Sequence, residues 1–426
     1  MNEKELIKLL QKNKIDPVQI VTFTGKAVEV KVLNDKTKML DASNDTGYDI
    51  TARYKDRDVK VSTNYLSEEI IDTIKEKVKY IEIDEKELYI EEKKEIDDVA
   101  PKIDFDISKE ITEILEAHKE RKKDSRIKDI ETGYYVNTSS KRIVNSYGLD
   151  IFSQKNLCSI YTEVTTKEKD NLITTDDFLY SSKKDIDIKK FITNVIDEAI
   201  SNINKKTIKS GRYNLLLSPR FVSAILGEFS HLLSKEAIRK KYSCLDGKLN
   251  KKIFNDKITI IEDPSNKKYP NYSKFDNEGT TTYKKTIIDK GVLKTYLYNN
   301  REALLDKTKS TGNGYNGIGV NNFILLPGKK TEEDLLKELG DGLYISQYFS
   351  TGGTTLDGVT GDFSAQITGS IVKDGKKKET FETSILTTTI YELFSNIEDI
   401  SNKIEFKKLN VAAPYILVKD ISISSN

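Results

Sequence analysis

The chain has 426 residues, with 69 Lys+Arg against 68 Asp+Glu and a formal net charge of +1. That balance argues against a dedicated nucleic-acid binder, which carries a basic excess or stripe. Cys158 and Cys244 are too few for a disulfide framework, and no apolar stretch approaches the ~18 residues of a membrane span. The charged fraction of 32 % is high, yet Ile, Leu, Tyr and Phe recur throughout, so a soluble globular protein of two or three domains is expected. Met1-Asn2-Glu3-Lys4-Glu5 mixes charges and leads into an amphipathic helix rather than a signal peptide, which makes the cytoplasm the expected location.

A helix over 3–12 opens the chain. Val28, Val30 and Val32 then alternate with Glu29 and Lys31, the period of a half-buried strand, and 48–54 and 59–63 read likewise. Ser67-Glu68-Glu69-Ile70 starts a second helix with a capping serine and first-turn acids. A charged connector at 86–98 leads into a second helix–strand–helix unit, with helices over 108–121 and 188–204. Glycine then divides the sequence. Of 22 glycines, only Gly25, Gly47, Gly133 and Gly148 precede residue 205. The second half is therefore expected to be turn-rich and mostly β. Strands at 282–288 and 292–298 flank the hairpin loop Asp289-Lys290-Gly291, and a helix over 332–339 follows Thr331 as its cap.

The helix expected at 219–240 begins at Ser218-Pro219, where serine caps and proline loses nothing in the first turn. Phe221, Val222, Ile225, Leu226, Phe229, Leu232 and Leu233 fall on one arc. Glu228, His231 and Lys235 take the opposite flank, with Gly227 beside them. Glu-x-x-His is a di-iron spacing, but such sites need two copies and only one occurs, so a solvated flank or a partner contact fits better. Asp276 and Glu278 share a face if their segment is extended. They suit acid–base or cation chemistry, or hydrogen bonds to backbone amides in a glycine-bearing turn; the structural role is preferred. Gly312-Asn313-Gly314-Tyr315-Asn316-Gly317 spells G-x-G-x-x-G, but a dinucleotide site needs a strand before it and a helix after it, and the context lacks both. Ser350-Thr351-Gly352-Gly353-Thr354-Thr355 has little side chain and suits either tight turns or an extended peptide added by strand pairing.

Several ordered motifs carry a resemblance. Gly211-Arg212-Tyr213-Asn214, Phe275-Asp276-Asn277-Glu278-Gly279, Gly291–Tyr298, Ser310-Thr311-Gly312-Asn313, Gly361-Asp362-Phe363-Ser364 and, in the first half, Asn145-Ser146-Tyr147-Gly148 resemble the TldD/PmbA family over nearly the whole chain. The resemblance implies an α+β fold in two domains: an N-terminal mixed α/β domain (1–207) of repeated helix/strand units and a β-rich C-terminal domain (208–426). TldD-type members carry His-Glu-x-x-x-His on the helix at 219–240, with a later cysteine, as zinc ligands. This chain completes that set in neither register. If Glu228 is the motif's glutamate, Gly227 and Leu232 replace the histidines. If His231 is the second histidine, Leu226 and Gly227 replace the first histidine and the glutamate. The only other histidine is His118, and no cysteine follows Cys244.

The resemblance therefore points to the PmbA (TldE) branch. It implies a role in proteolysis or peptide maturation, with no cofactor on this chain and zinc on a TldD-like partner. The expected assembly is a heteromer with that subunit, or a homodimer, acting on an unfolded peptide. Gly227, Glu228, His231, Asp276, Glu278, Gly352 and Gly353 are the candidate lining of its groove, and Glu228 and His231 are the only catalytic candidates. Two alternatives stay open. One is a stand-alone hydrolase built around Glu228 and His231. The other is a non-enzymatic peptide- or target-binding modulator, in line with the family's older label, modulator of DNA gyrase.

Overall fold

The structure is a computed structural model and describes every residue except 84–90, 92, 93, 170, 204, 350–354 and 426. The first half is built on one mixed sheet. Its strands are β1 (Val18–Leu33), β2 (Lys36–Tyr54), β3 (Arg57–Thr63), β4 (Glu95–Asp98), β5 (Ile127–Asn145), β6 (Asp150–Glu168) and β7 (Asn171–Ser181). Their order is β3-β2-β1-β5-β6, with β4 parallel to the start of β6 and β7 antiparallel to the rest of it. Helices α1 (Glu3–Lys12), α2 (Glu69–Lys77), α3 (Ser108–His118) and α4 (Ile188–Ser201) cover the sheet.

The first strand is longer than its alternation predicts. Val18, Ile20 and Val21 are buried in two different clusters, so both faces of the sheet are covered there and the period-2 signal vanishes. The connector expected at 86–98 lies partly outside the described residues, and its end forms β4.

The second half carries two further sheets. One contains β8 (Gly211–Leu217), β13 (Gly342–Phe349), β14 (Asp362–Lys373), β15 (Lys376–Thr389), β16 (Ile397–Ile400) and β19 (Ile416–Ser424). Because β15 pairs with both β14 and β19, five of these strands close into a ring. The other contains β9 (Ile260–Glu262), β10 (Lys285–Asp289), β11 (Val292–Leu293), β12 (Phe323–Leu325), β17 (Glu405–Lys408) and β18 (Val411–Ala413). Helix α5 (Pro219–Leu232) packs between them, and its whole apolar arc is buried. Shorter helices are α6 (Lys235–Arg239), α7 (Asn300–Leu305), α8 (Glu332–Leu339) and α9 (Ile390–Ser395).

Two expectations need correcting. The helix at 219–240 breaks after Leu232, because Ser234 caps α6 and pairs as a bridge with Leu297. The strand at 292–298 is only two residues long, although the turn before it is as expected: Gly291 has φ +77°, and a Cβ there would lie 2.1 Å from the Phe254 carbonyl oxygen. No described helix is long and apolar enough to cross a membrane.

Candidate functional site

Ser218 starts α5 by accepting a hydrogen bond from the Phe221 amide at 3.0 Å. The burial of the apolar arc then sets which side chains face outward. Glu228 turns toward β13 and the segment after it. Its carboxylate accepts from the Tyr348 hydroxyl at 2.6 Å, the Thr355 hydroxyl at 2.5 Å and the Leu356 amide at 3.1 Å. Three donors leave it little capacity for another partner, so it ties the helix to Tyr348 of β13 and to Thr355 and Leu356. Burial and the Glu228 charge together raise the Tyr348 phenol far above its ordinary range, so it remains a donor.

His231 is exposed, and among the described residues its ring meets no partner. Gly227 lies under Lys408: a Cβ at Gly227 would sit 3.3 Å from the lysine Nζ. Leu232 is only 7 % exposed and belongs to the core. A cleft of about 420 Å³ runs along this side of α5, lined by Phe178, Tyr180, Arg220, Ala224, Tyr348 and Lys408.

The zinc implied by the family resemblance does not fit these side chains. A catalytic zinc takes three protein ligands and keeps one open position. With Glu228 as the motif's glutamate, the histidine positions hold Gly227 and Leu232, and the glutamate is engaged by three donors; with His231 as the second histidine, the other two positions hold Leu226 and Gly227; and a lysine ammonium covers Gly227. Among the described residues, no three His, Cys, Asp or Glu side chains come together as a metal site requires.

The second pair of candidates lies elsewhere. Asp276 is fully buried and accepts from the amides of Glu278, Thr280 and Gly314, each at 2.9 Å. It therefore lines no groove, and the segment is a turn rather than the extended run that would put Asp276 and Glu278 on one face. Lys141 reaches this turn from β5. Its ammonium donates to the Phe275 carbonyl at 2.8 Å, Asn277 Oδ1 at 3.1 Å and Ser273 Oγ at 3.2 Å. Burial favours the neutral form of each group, lowering the lysine and raising the aspartate, while their opposite charges resist.

Glu278 accepts from the Asn300 amide at 2.7 Å and is pushed up to about 7, first by burial and then by the Asp276 charge. Gly314 makes room for it, since a Cβ there would lie 2.5 Å from the Glu278 carboxyl carbon. Glu278 also lines a cleft of about 1170 Å³, with Lys60 and Tyr80 from the first half and Arg239 and Glu302 from the second.

The Asn145 motif meets this turn. Asn145 Oδ1 accepts from the amides of Tyr147 at 2.9 Å and Leu149 at 3.0 Å, which fixes the β5–β6 turn. Leu149 then packs in one cluster with Phe275, and its Cδ2 lies 3.0 Å from where a Cβ at Gly279 would be. Two glycine motifs far apart in sequence thus form one junction between the halves. The G-x-G-x-x-G run is a loop in which Asn313 donates to both oxygens of the buried Glu262, at 2.9 and 3.0 Å.

The structure places Glu278 on the lining of one cleft, whereas Glu228 and Gly227 lie behind the other, in contact with its lining residues Tyr348 and Lys408; Gly352 and Gly353 lie outside the described residues. Sequence reasoning missed Tyr348, Lys408 and Lys141. The first and last sit in strands of ordinary alternation, and Lys408 follows Lys407 in a short charged strand, so none carries a local signal.

Known proteins resemble this chain in sequence and in fold. Residues 210–425 match the PmbA/TldA metallopeptidase C-terminal domain, and residues 84–205 match the central domain of the same family. A Metalloprotease PmbA homolog of Buchnera aphidicola is 26 % identical over 310 residues, which is 68 % of this chain and 67 % of that protein. A metalloprotease of Methanocaldococcus jannaschii is 23 % identical over 95 % of this chain and 93 % of its own length. Among solved structures, TldE from Thermococcus kodakarensis superposes with a TM-score of 0.87 at 20 % identity, covering 99 % of both chains. A candidate modulator of DNA gyrase from Thermotoga maritima gives 0.86 at 24 % identity, again over 99 % of both. At these identities the structural likeness speaks for the fold.

Proposed function

This chain belongs to the PmbA/TldD metallopeptidase family, and from that premise we propose that it is the non-hydrolytic subunit of a peptide-processing complex. A TldD-like partner supplies zinc and the bond-breaking step. This chain supplies one wall of the path followed by an unfolded peptide, along the cleft beside α5. The observation that carries the reading is the state of Glu228. The side chain that would act as general base in a metallopeptidase is held by Tyr348, Thr355 and Leu356, beside Gly227 and Lys408 rather than histidines. Support for peptide binding comes from the cleft's lining, in which Phe178, Tyr180 and Tyr348 offer aromatic surface and Lys408 an ammonium with no carboxylate partner among the described residues.

The test is reconstitution. Purified chain, a TldD-like subunit and an unfolded peptide are combined with zinc, and cleavage is followed by mass spectrometry. The reading expects chelator-sensitive cleavage from the pair and none from this chain alone. Cleavage by this chain alone at a rate comparable to the pair would overturn it.

A further inference from the structure

A second cavity, of about 450 Å³, lies where α4 meets the start of α5 and the ringed sheet. Its volume is in the range of small-ligand sites. The lining is dense in charge, and nearly all of that charge is matched. Arg220 pairs with Asp176 at 2.9 Å, Lys377 with Glu332 at 2.8 Å, and Lys407 with Asp177 at 2.5 Å and Glu405 at 3.3 Å. Asp197, also on the lining, pairs with Lys123 at 3.6 Å. Lys378 is solvent-exposed and makes no ion pair among the described residues. Glu198 is different. Alone among the lining carboxylates it makes no ion pair, and its nearest cations, Arg220 and Lys377, are already held by Asp176 and Glu332.

The Ser346 hydroxyl, on the same lining, is a hydrogen-bonding neighbour of Glu198 but brings no charge. The Tyr344 hydroxyl beside Glu198 lacks a hydrogen-bond partner among the described residues, while Lys377 sits 3.5 Å from the centre of the Tyr344 ring and covers one of its faces. A sheltered carboxylate without a counter-ion is costly, and the cost is relieved either by taking up a proton or by a cation from outside. Burial does raise the Glu198 carboxyl. An anion would find every internal cation but the exposed Lys378 already neutralised, whereas an ammonium group would complete the balance and place an adjacent oxygen or nitrogen within reach of Tyr344.

We propose that this cavity binds a small, polar primary amine, with Glu198 as the counter-ion of its ammonium group. The site goes beyond the peptide-path reading and does not depend on it: Arg220 and Lys407 line both spaces and stand between this cavity and the cleft along α5.

The test uses the full chain and isothermal titration with ethanolamine and putrescine, with ethylene glycol and acetate as neutral and anionic controls. Saturable one-to-one binding of an amine is expected, with neither control binding, and at least a tenfold weaker affinity in Glu198→Gln. Absence of amine binding to the wild-type chain, or equal affinity in the variant, would overturn the proposal. A thermal melt without ligand gives an independent check. Removing an unpaired charge leaves the Tm of Glu198→Gln equal to or above wild type, whereas a clear fall would mean that Glu198 serves an internal partner and would equally overturn it.

Discussion

Glu228 and Glu278 are both candidate groove glutamates, and the structure treats them oppositely. Glu228 sits on a helix flank behind Tyr348, its charge spread over two hydroxyls and an amide. Glu278 lies at the junction between the halves and on the lining of the cleft there, beside the buried Asp276, with one backbone amide as its donor and its carboxyl pushed up to about 7. The difference teaches that residue type and motif membership do not fix a carboxylate's role. The number of donors and the depth of burial do. On the proposed function the α5 side meets another molecule, whereas the junction is a fixture that ties the two halves together.

That contrast is broken most forcefully at Lys141. Lys141→Ala removes the cation near Asp276 and leaves the Phe275 carbonyl, Asn277 and Ser273 without their donor. Destabilisation on the order of 3–5 kcal/mol is expected in urea unfolding. A loss below about 1 kcal/mol would show that the junction is not the fixture described.

The pH dependence of Glu278 comes next. Its folded value of about 7 lies above its ordinary 4.5. Its contribution is therefore fully present below pH 4.5 and is lost as pH rises through 7, a swing of about 3 kcal/mol at most. Glu278→Gln should flatten that part of the stability–pH curve, and an unchanged curve would contradict the burial argument.

Gly314→Ala sharpens the same point, because the new methyl collides with the Glu278 carboxyl group. A cost of about 1–3 kcal/mol is expected. It should shrink in the double variant with Glu278→Ala, where the clash is gone; simple additivity in the double-mutant cycle would locate the strain elsewhere.

The fold was legible where one face of an element is buried and the other is wet. The arc of α5 and the capped helix Glu332–Leu339 follow from spacing alone. It was illegible where both faces are covered, as at Val18–Val21, and where a serine bridge cuts a helix at Ser234. Of the candidate site, the residues that stand at the metal motif's positions, Gly227 and Leu232 in one register or Leu226 and Gly227 in the other, were readable directly. The clamp on Glu228 and the reach of Lys141 were not, because each partner lies more than a hundred residues away in sequence.

The smallest effect is expected on the α5 side. Glu228→Gln keeps the shape of the side chain and loses part of its charge-assisted bonding, at about 1–2 kcal/mol of stability. In the reconstituted complex it should leave peptide turnover within about twofold. A fall of about a hundredfold or more would assign Glu228 to the chemistry.

The most direct measurement is a zinc titration of the purified chain, read by calorimetry and by elemental analysis after dialysis. The side chains around α5 predict no stoichiometric zinc and no difference between wild type and His231→Ala. One tightly held zinc per chain, lost in His231→Ala or Glu228→Gln, would contradict the account.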